Sequence, residues 1–277
     1  MAYGKAIELF LVNGTADSLV TAELSNWNGK AIKIPRTEVA KCDREDIRGV
    51  GVYFLVCQED DGTDSVYIGE AENVLERLIQ HLRDYQSGKE SYYWNTAVIF
   101  VGRDLNKALI RYLENRFVEI AKECGRYVVL TKNTYRNTVL KEAQIASMEE
   151  FIDNVKVLIN TLGYKVLVPV PKATSDTVYL YCKSSSASAK GFISTGGFTV
   201  LSGSFISDHT APSFESKGGS YFRLRLSLIS EGVIEDRVFT RDYEFSAPSA
   251  ASAVILGHTS NGNDDWRTFD GIKLKNI

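Results

Sequence analysis

The chain has 277 residues, of which 44% are hydrophobic and 24% charged, and this is enough for two modest domains with packed cores. Its formal net charge is −3 at pH 7, so it lacks the overall positive field with which many proteins attract nucleic acid. Residues 171–277 carry 11 basic and 11 acidic side chains, so the acidic excess lies in the first 170 residues.

Several features of the sequence bear on cellular location. It contains no run of about 18 uninterrupted apolar residues, so we expect no membrane partner. The first residues, MAYGKAIELF, lack the basic start and apolar run of a signal peptide. The four cysteines form no close pair, which argues against a structural zinc site and is typical of reduced thiols. We therefore expect a cytoplasmic protein.

The first 45 residues predict a small N-terminal β element. Residues 5–12 and 31–36 have the apolar and β-branched composition of short strands, and the turn sequence Asn26-Trp27-Asn28-Gly29 lies between them. We place residues 1–45 before a second, larger domain.

Residues 46–168 predict a domain of strands and helices. Residues 51–56 and 65–69 predict two strands of a hairpin, joined by a polar loop that contains Asp60, Asp61 and Asp64. Further elements follow from the apolar spacing: a helix over 70–83, a strand over 95–101, a helix over 105–123 and a helix over 148–162. Ser147 and Glu150 predict a capping box for the last helix, and Gly163 predicts its end.

Two of these helices carry polar residues of interest. Asn73, Arg77 and His81 follow one another at intervals of four, so a helix places them in one stripe. Glu114 lies at the edge of the apolar stripe of the next helix. Alone, such a stripe is most often a solvated face, and Tyr53 and Tyr67 could simply pack in a sheet beside Trp94.

The rest of the chain predicts a linker and a C-terminal domain. Residues 169–190 are rich in Ser, Thr, Ala and Lys and predict the linker, and residues 191–277 predict an α+β domain. Its predicted elements are strands at 191–193 and 197–201 and helices at 221–232 and 247–256. For the second helix, Ser246 is a candidate N-cap, and Gly257 ends it. Trp266 and Phe269 are candidates to close its core.

Arginine and glutamate are suited to phosphodiester chemistry. Attack of water on a phosphodiester adds negative charge to the nonbridging oxygens, which a guanidinium and a divalent cation both stabilise. The planar guanidinium matches phosphate geometry, and magnesium needs only one or two carboxylates. A tyrosine base is harder to achieve because its ordinary pKa is about 10.

One set of residues follows in order along the chain: Gly51-Val52-Tyr53, Tyr67-Ile68-Gly69, Asn73, Arg77, His81 and Glu114. With this set, residues 49–165 resemble the GIY-YIG endonuclease superfamily. The resemblance implies a central three-stranded antiparallel sheet flanked by helices, and phosphodiester hydrolysis assisted by one Mg²⁺ or Mn²⁺. It implies that Glu114 binds the metal, that Arg77 supports the phosphate and that Tyr53 is a candidate base. It further assigns water or phosphate orientation to Tyr67 and proton handling to His81, with supporting roles for Gly69, Asn73 and Asn133.

Other predictions from this region concern the ligand. The family has an asparagine after the glutamate helix, for which Asn133 is favoured over Asn137. Arg103, Lys107 and Arg111 form a candidate DNA-binding strip, or equally a solvated helix face. The acidic loop at Asp60, Asp61 and Asp64 opposes tight DNA binding.

Residues 221–275 carry a second resemblance. The segments FSAPSAASAVILG, NGNDDW and DGIKL resemble a small domain of unknown function that is found at the C-terminus of GIY-YIG-type bacterial proteins. This domain is a candidate for binding a protein partner. The sequence therefore predicts a metal-dependent DNA endonuclease; the alternatives are a nuclease for RNA or branched nucleic acid, and a non-catalytic binding module of the same fold.

Overall fold

The computed structural model describes residues 3–58, 64–132, 139–216 and 219–277, and these form a mixed α+β protein, as the sequence predicts. The described residues divide into two compact units. Of the described residues, the first comprises 3–58, 64–132 and 139–168, and the second comprises 169–216 and 219–277.

Within its described ranges, the first unit contains seven strands and four helices. Its strands are β1 (Ile7–Leu11), β2 (Val20–Leu24), β3 (Gly29–Pro35), β4 (Gly51–Gln58), β5 (Asp64–Ala71), β6 (Thr96–Gly102) and β7 (Val128–Val129). Its helices are α1 (Arg36–Val39), α2 (Val74–Gln86), α3 (Lys107–Cys124) and α4 (Glu142–Thr161), and a 3₁₀ turn covers Glu45–Ile47. The predicted strands at 51–56, 65–69 and 95–101 are confirmed to within two residues at each end.

The seven strands form one sheet in the order β1-β2-β3-β6-β4-β5-β7. The expected three-stranded antiparallel set is present as β6-β4-β5, but it is not the whole sheet. β3 pairs antiparallel with β6 along its full length, from Gly29 opposite Gly102 to Pro35 opposite Thr96. The N-terminal strands therefore extend the same sheet, and β2 is a strand that the sequence did not predict.

Alternation along the strands gives this sheet two buried faces. Val52, Phe54 and Phe100 point to the face covered by α3 and α4. Tyr53 and Ile99 point to the face covered by α2. Successive residues of β4 thus serve two different cores.

Helix α4 begins earlier than predicted. It starts at Glu142, and the backbone N–H of Lys141 donates a hydrogen bond to the side chain of Gln144. Ser147 lies within the helix and donates to the backbone carbonyl of Ala143, so the predicted capping box at Ser147 and Glu150 is wrong. The helix can begin six residues earlier because Gln144 accepts from the backbone N–H of Lys141, a group that would otherwise lack a partner within the helix.

The second unit contains six strands and four helices among its described residues. Its strands are β8 (Leu180–Lys183), β9 (Ser188–Ser194), β10 (Gly197–Val200), β11 (Ile234–Glu235), β12 (Val238–Phe239) and β13 (Tyr243–Phe245). Its helices are α5 (Pro212–Ser216), α6 (Ser220–Ser230), α7 (Pro248–Leu256) and α8 (Gly262–Asp265), and a 3₁₀ turn covers Leu274–Asn276. A four-stranded sheet in the order β13-β10-β9-β8 packs with α7 around Phe198 and Trp266.

Three predictions for this unit need correction. β8 and the start of β9 lie within residues 169–190, so the predicted linker is wrong for that part; the serines there alternate with buried Ala187 and Ala189. Helix α7 has Ala247 rather than Ser246 as its N-cap, although it ends at Gly257 as predicted. Trp266 is fully buried, but Phe269 is 87% exposed and does not close the core.

Among the described helices, none is both long and apolar enough to cross a lipid bilayer.

Candidate active site

The two strand tyrosines lie on one face of the sheet. Tyr53 on β4 pairs with Gly69 on β5, so Tyr67 is the diagonal neighbour of Tyr53. Their ring centroids are 6.3 Å apart. Tyr53 is fully buried and Tyr67 half-buried, so the spacing of the two motifs brings both phenols to the α2 face.

Gly69 allows this close arrangement. A Cβ atom built at Gly69 would lie 2.5 Å from the hydroxyl oxygen of Tyr53 and 2.9 Å from a ring carbon of Tyr67. Real Cβ contacts of this length essentially do not occur, so glycine is required if Tyr53 is to cross β5 here. Gly69 thus makes room for both tyrosine rings, while its supporting role in catalysis stays a prediction.

Helix α2 brings His81 and Arg77 to the tyrosines. The Tyr53 hydroxyl lies 2.9 Å from Nε2 of His81. The Arg77 guanidinium interacts electrostatically with the hydroxyls of Tyr53 and Tyr67. His81 is fully buried and Arg77 half-buried, so this stripe of α2 is not a solvated face.

Asn73 has a different position. It precedes α2 as its N-cap, and its side-chain oxygen accepts a hydrogen bond from the backbone N–H of Glu76. The prediction that Asn73 continues the helical stripe of Arg77 and His81 is wrong, because the helix begins at Val74 rather than at residue 70. Asn73 contributes by starting the helix.

Glu114 comes from α3, on the other face of the sheet. It is only 6% exposed, and its Oε2 atom is buried without a hydrogen-bond partner among the described residues. Burial raises the pKa of Glu114 to about 7; Glu70 adds to this rise, and Arg111 and Arg77 oppose it. A nearby cation would stabilise the ionised form of a carboxylate buried in this way.

The same groups act on one another electrostatically. Burial raises the pKa of Tyr53 well above its ordinary value; Tyr67 and Glu114 add to the rise, and Arg77 opposes it. The pKa of Tyr67 is raised by burial and again lowered in part by Arg77. Four groups therefore interact electrostatically although they come from both faces of the sheet: Tyr53, Tyr67, Arg77 and Glu114.

The imidazole of His81 is neutral in this setting. Burial and the neighbouring Arg77 lower its pKa to about 3. Its second nitrogen, Nδ1, lies 2.7 Å from Oε1 of Glu90 in the segment between α2 and β6. His81 thus joins Tyr53 on one side to a carboxylate on the other.

The predicted basic strip is largely paired with acidic side chains. Nε of Arg111 lies 3.6 Å from Oε1 of Glu70, and Lys107 forms an ion pair with Glu72. Arg103 is exposed in the turn after β6. Asn133 and Asn137, and the loop residues Asp60 and Asp61, lie outside the described residues, whereas Asp64 begins β5.

The carboxylates present suit a hard divalent cation. Among residues 3–58, 64–132, 139–216 and 219–277, no group of three or more His, Cys, Asp or Glu side chains is arranged to hold a metal. Magnesium, however, keeps several waters and needs only one or two carboxylates, so Glu114, with Glu70 near enough to raise its pKa, would be sufficient to hold it. The unpartnered oxygen of Glu114 fits this use.

Three residues beside the site were not predicted from the sequence: Glu70, Glu90 and Tyr92. Glu90 and Tyr92 lie in a segment without helix or strand, where periodicity gives no signal, and the Tyr92 ring stacks on Tyr67 at 5.7 Å. Glu70 could have been found from strand alternation, because it follows Gly69 and must point to the α3 face.

Comparison with known families identifies only the second unit. Residues 180–277 match the model of a domain of unknown function (DUF4357), in agreement with the C-terminal resemblance. Searches of curated proteins and of solved structures found no match.

Proposed function

We propose that this chain is a metal-dependent endonuclease of the GIY-YIG type that hydrolyses phosphodiester bonds of DNA. One observation carries the proposal: Glu114, a buried carboxylate with an unpartnered oxygen, acts on the same two tyrosines as Arg77. A phosphate beside Arg77 would meet the guanidinium and the two tyrosine hydroxyls, within electrostatic reach of the Glu114 carboxylate. These are the groups that the resemblance over residues 49–165 implies.

Arg77 is the phosphate-binding group in this proposal. Its guanidinium is permanently charged and half-buried, so its attraction for a phosphate is screened less than that of an exposed lysine. Its electrostatic interaction with Tyr53 and Tyr67 places it beside both hydroxyls before substrate arrives. Preorganised charge of this kind stabilises the negative charge that develops during attack.

Glu114, with Glu70 nearby, would hold the divalent ion. A bound Mg²⁺ or Mn²⁺ would supply Lewis-acid stabilisation of the nonbridging oxygens. Glu114 must be ionised to bind it, which its raised pKa of about 7 permits from neutral pH upward.

Tyr53 and His81 would handle the proton. As water attacks phosphorus, its proton passes to the Tyr53 oxygen while the Tyr53 hydroxyl proton passes to Nε2 of His81, 2.9 Å away. This route never requires a free tyrosinate, which the raised pKa of Tyr53 opposes. The protonated imidazole then loses its proton to solvent or to the leaving oxygen.

A binding module without catalysis is the second candidate. The pairing of Lys107 with Glu72 and of Arg111 with Glu70 removes much of the positive charge expected beside a nucleic-acid site. The net charge of −3 likewise disfavours strong attraction of nucleic acid.

Cleavage of supercoiled plasmid in Mg²⁺ or Mn²⁺ tests the proposal. We expect Glu114→Gln and Arg77→Ala to lose about 100-fold or more in cleavage rate. Matched controls are Glu123→Gln on α3 and Arg83→Ala on α2, both exposed, and these should cut as wild type does.

Equal cleavage by wild type, Glu114→Gln and Arg77→Ala would exclude the assignment. If the protein binds plasmid, single-stranded DNA, RNA or branched DNA but cuts none of them in either metal, the binding module is the better description.

A further inference from the structure

We propose that Glu90 is a positioning residue of this site: its carboxylate holds Nδ1–H of His81, so that Nε2 faces the Tyr53 hydroxyl as a proton acceptor. Oε1 of Glu90 lies 2.7 Å from Nδ1, and the Tyr53 hydroxyl lies 2.9 Å from Nε2. The role in catalysis rests on the proposed function, whereas the arrangement of protons does not.

The hydrogen-bonding capacity of each partner sets the tautomer. A neutral imidazole carries one N–H, and an ionised carboxylate can only accept. The proton must therefore lie on Nδ1, facing Glu90, and Nε2 must be the acceptor. The Tyr53 hydroxyl then donates to Nε2, and its oxygen remains able to accept from Arg77.

The backbone fixes Glu90 at this position. The segment after α2 folds back on the helix end, where the backbone N–H groups of Lys89 and Glu90 both donate to the carbonyl of Asp84. Tyr92, two residues later, stacks on Tyr67. Contacts on both sides of Glu90 thus bind its segment to the site.

The groups around His81 differ in whether they favour or oppose protonation of its imidazole. Arg77 and Asp84 face it from α2, Arg36 from α1, Tyr53 and Tyr67 from the sheet, and Glu90 from the following segment. Burial, Arg77 and Arg36 oppose protonation of the imidazole, and Asp84 favours it. When Nε2 takes the Tyr53 proton, the O–H bond of Tyr53 breaks, an N–H bond forms, and the Glu90 carboxylate lies directly against the new imidazolium.

A further observation concerns the second oxygen of Glu90. Oε2 is buried and has no hydrogen-bond partner among the described residues. A carboxylate that served only to anchor its loop would gain from using both oxygens. The other oxygen, Oε1, contacts the ring that receives the proton.

The full-length protein with ¹⁵N-labelled histidine gives a direct test. Long-range ¹H–¹⁵N correlation spectra assign the ring protons of His81, identified by their loss in His81→Gln. We expect Nδ1–H at neutral pH in wild type and a smaller Nδ1–H population in Glu90→Ala. A wild-type His81 protonated on Nε2 would overturn the proposal whether or not the protein cuts DNA.

Kinetics test the catalytic part. Glu90→Gln keeps the shape but removes the charge, so kcat should fall about 10- to 100-fold with little change in KM. Glu76→Gln, exposed on α2, is the control. Wild-type kcat in Glu90→Gln would overturn the catalytic role. If wild type shows no cleavage, the proposed function fails, and the tautomer measurement alone decides the positioning role.

Discussion

Gly69 lies directly opposite Tyr53 across β4 and β5, and a methyl group at Gly69 would come within 2.5 Å of the Tyr53 hydroxyl oxygen. The glycine of one motif therefore determines where the tyrosine of the other can reach. Substitution here tests the geometry of the site without removing any polar group.

Gly69→Ala should displace Tyr53 from His81. Overpacking of this kind costs about 1–3 kcal/mol of unfolding free energy, and we expect DNA cleavage to fall more steeply than stability. Chemical denaturation and plasmid cleavage measure the two effects. Gly49→Ala is the control, because a Cβ there has no neighbour within 4 Å and the backbone is unstrained. Wild-type cleavage by Gly69→Ala would show that Tyr53 need not occupy this position.

Glu114 should make the folded protein less stable as pH rises. Its pKa is about 7 in the folded state against 4.5 ordinarily, so between these values the unfolded chain ionises first and stability is lost. Relative to wild type, Glu114→Gln should gain on the order of 2 kcal/mol of unfolding free energy between about pH 5 and pH 8.

Denaturant titration at the two pH values measures this difference. Glu123→Gln is the control for removing a carboxylate charge from an exposed position on the same helix. A difference between Glu114→Gln and wild type that stays constant with pH would mean that Glu114 ionises normally in the folded protein.

Divalent ions should stabilise wild type through Glu114. A ligand that binds only the folded state raises the melting temperature as its concentration rises. We expect Mg²⁺ or Mn²⁺ to raise the Tm of wild type above neutral pH and to leave the Tm of Glu114→Gln nearly unchanged. Thermal melts with and without the ion, in buffers of matched ionic strength, measure this. Equal shifts in both proteins would place the bound ion elsewhere.

Asn73 should behave as a helix cap. Its oxygen accepts from the N–H of Glu76, so Asn73→Ala should cost about 1 kcal/mol of unfolding free energy while Asn73→Asp keeps the cap. Asn106→Ala and Asn106→Asp on α3 form a matched pair, since Asn106 accepts from Ala108 and Leu109. Loss of cleavage by a stable Asn73→Asp would instead assign Asn73 a direct role in catalysis.

The sequence predicted the local elements of the site better than their surroundings. The hairpin that carries Tyr53 and Tyr67 and the helix that carries Arg77 and His81 follow from alternation and apolar spacing. Glu90 does not, because it reaches His81 from a segment without regular structure. The start of α4 was misplaced for a related reason: a Ser-x-x-Glu pattern competes with the actual contact between Lys141 and Gln144.

Pairing between strands that are far apart in the chain could not be predicted from the sequence either. No local pattern indicates that β3 joins β6, since both strands read as ordinary apolar runs far apart in the chain. The partial pairing of Arg111 with Glu70 is likewise a product of the fold, because a helix meets a strand there.

The pairing of β3 with β6 makes the region that contains Tyr53 and Glu114 structurally dependent on the strands that precede it. A fragment beginning at residue 49 would leave the seven residues of β6 with an open backbone edge beside buried Val98, Ile99 and Phe100. Such an edge recruits strands from other molecules. The smallest piece that can be transplanted into another protein with its sheet intact is therefore residues 3–168, and shorter grafts should aggregate.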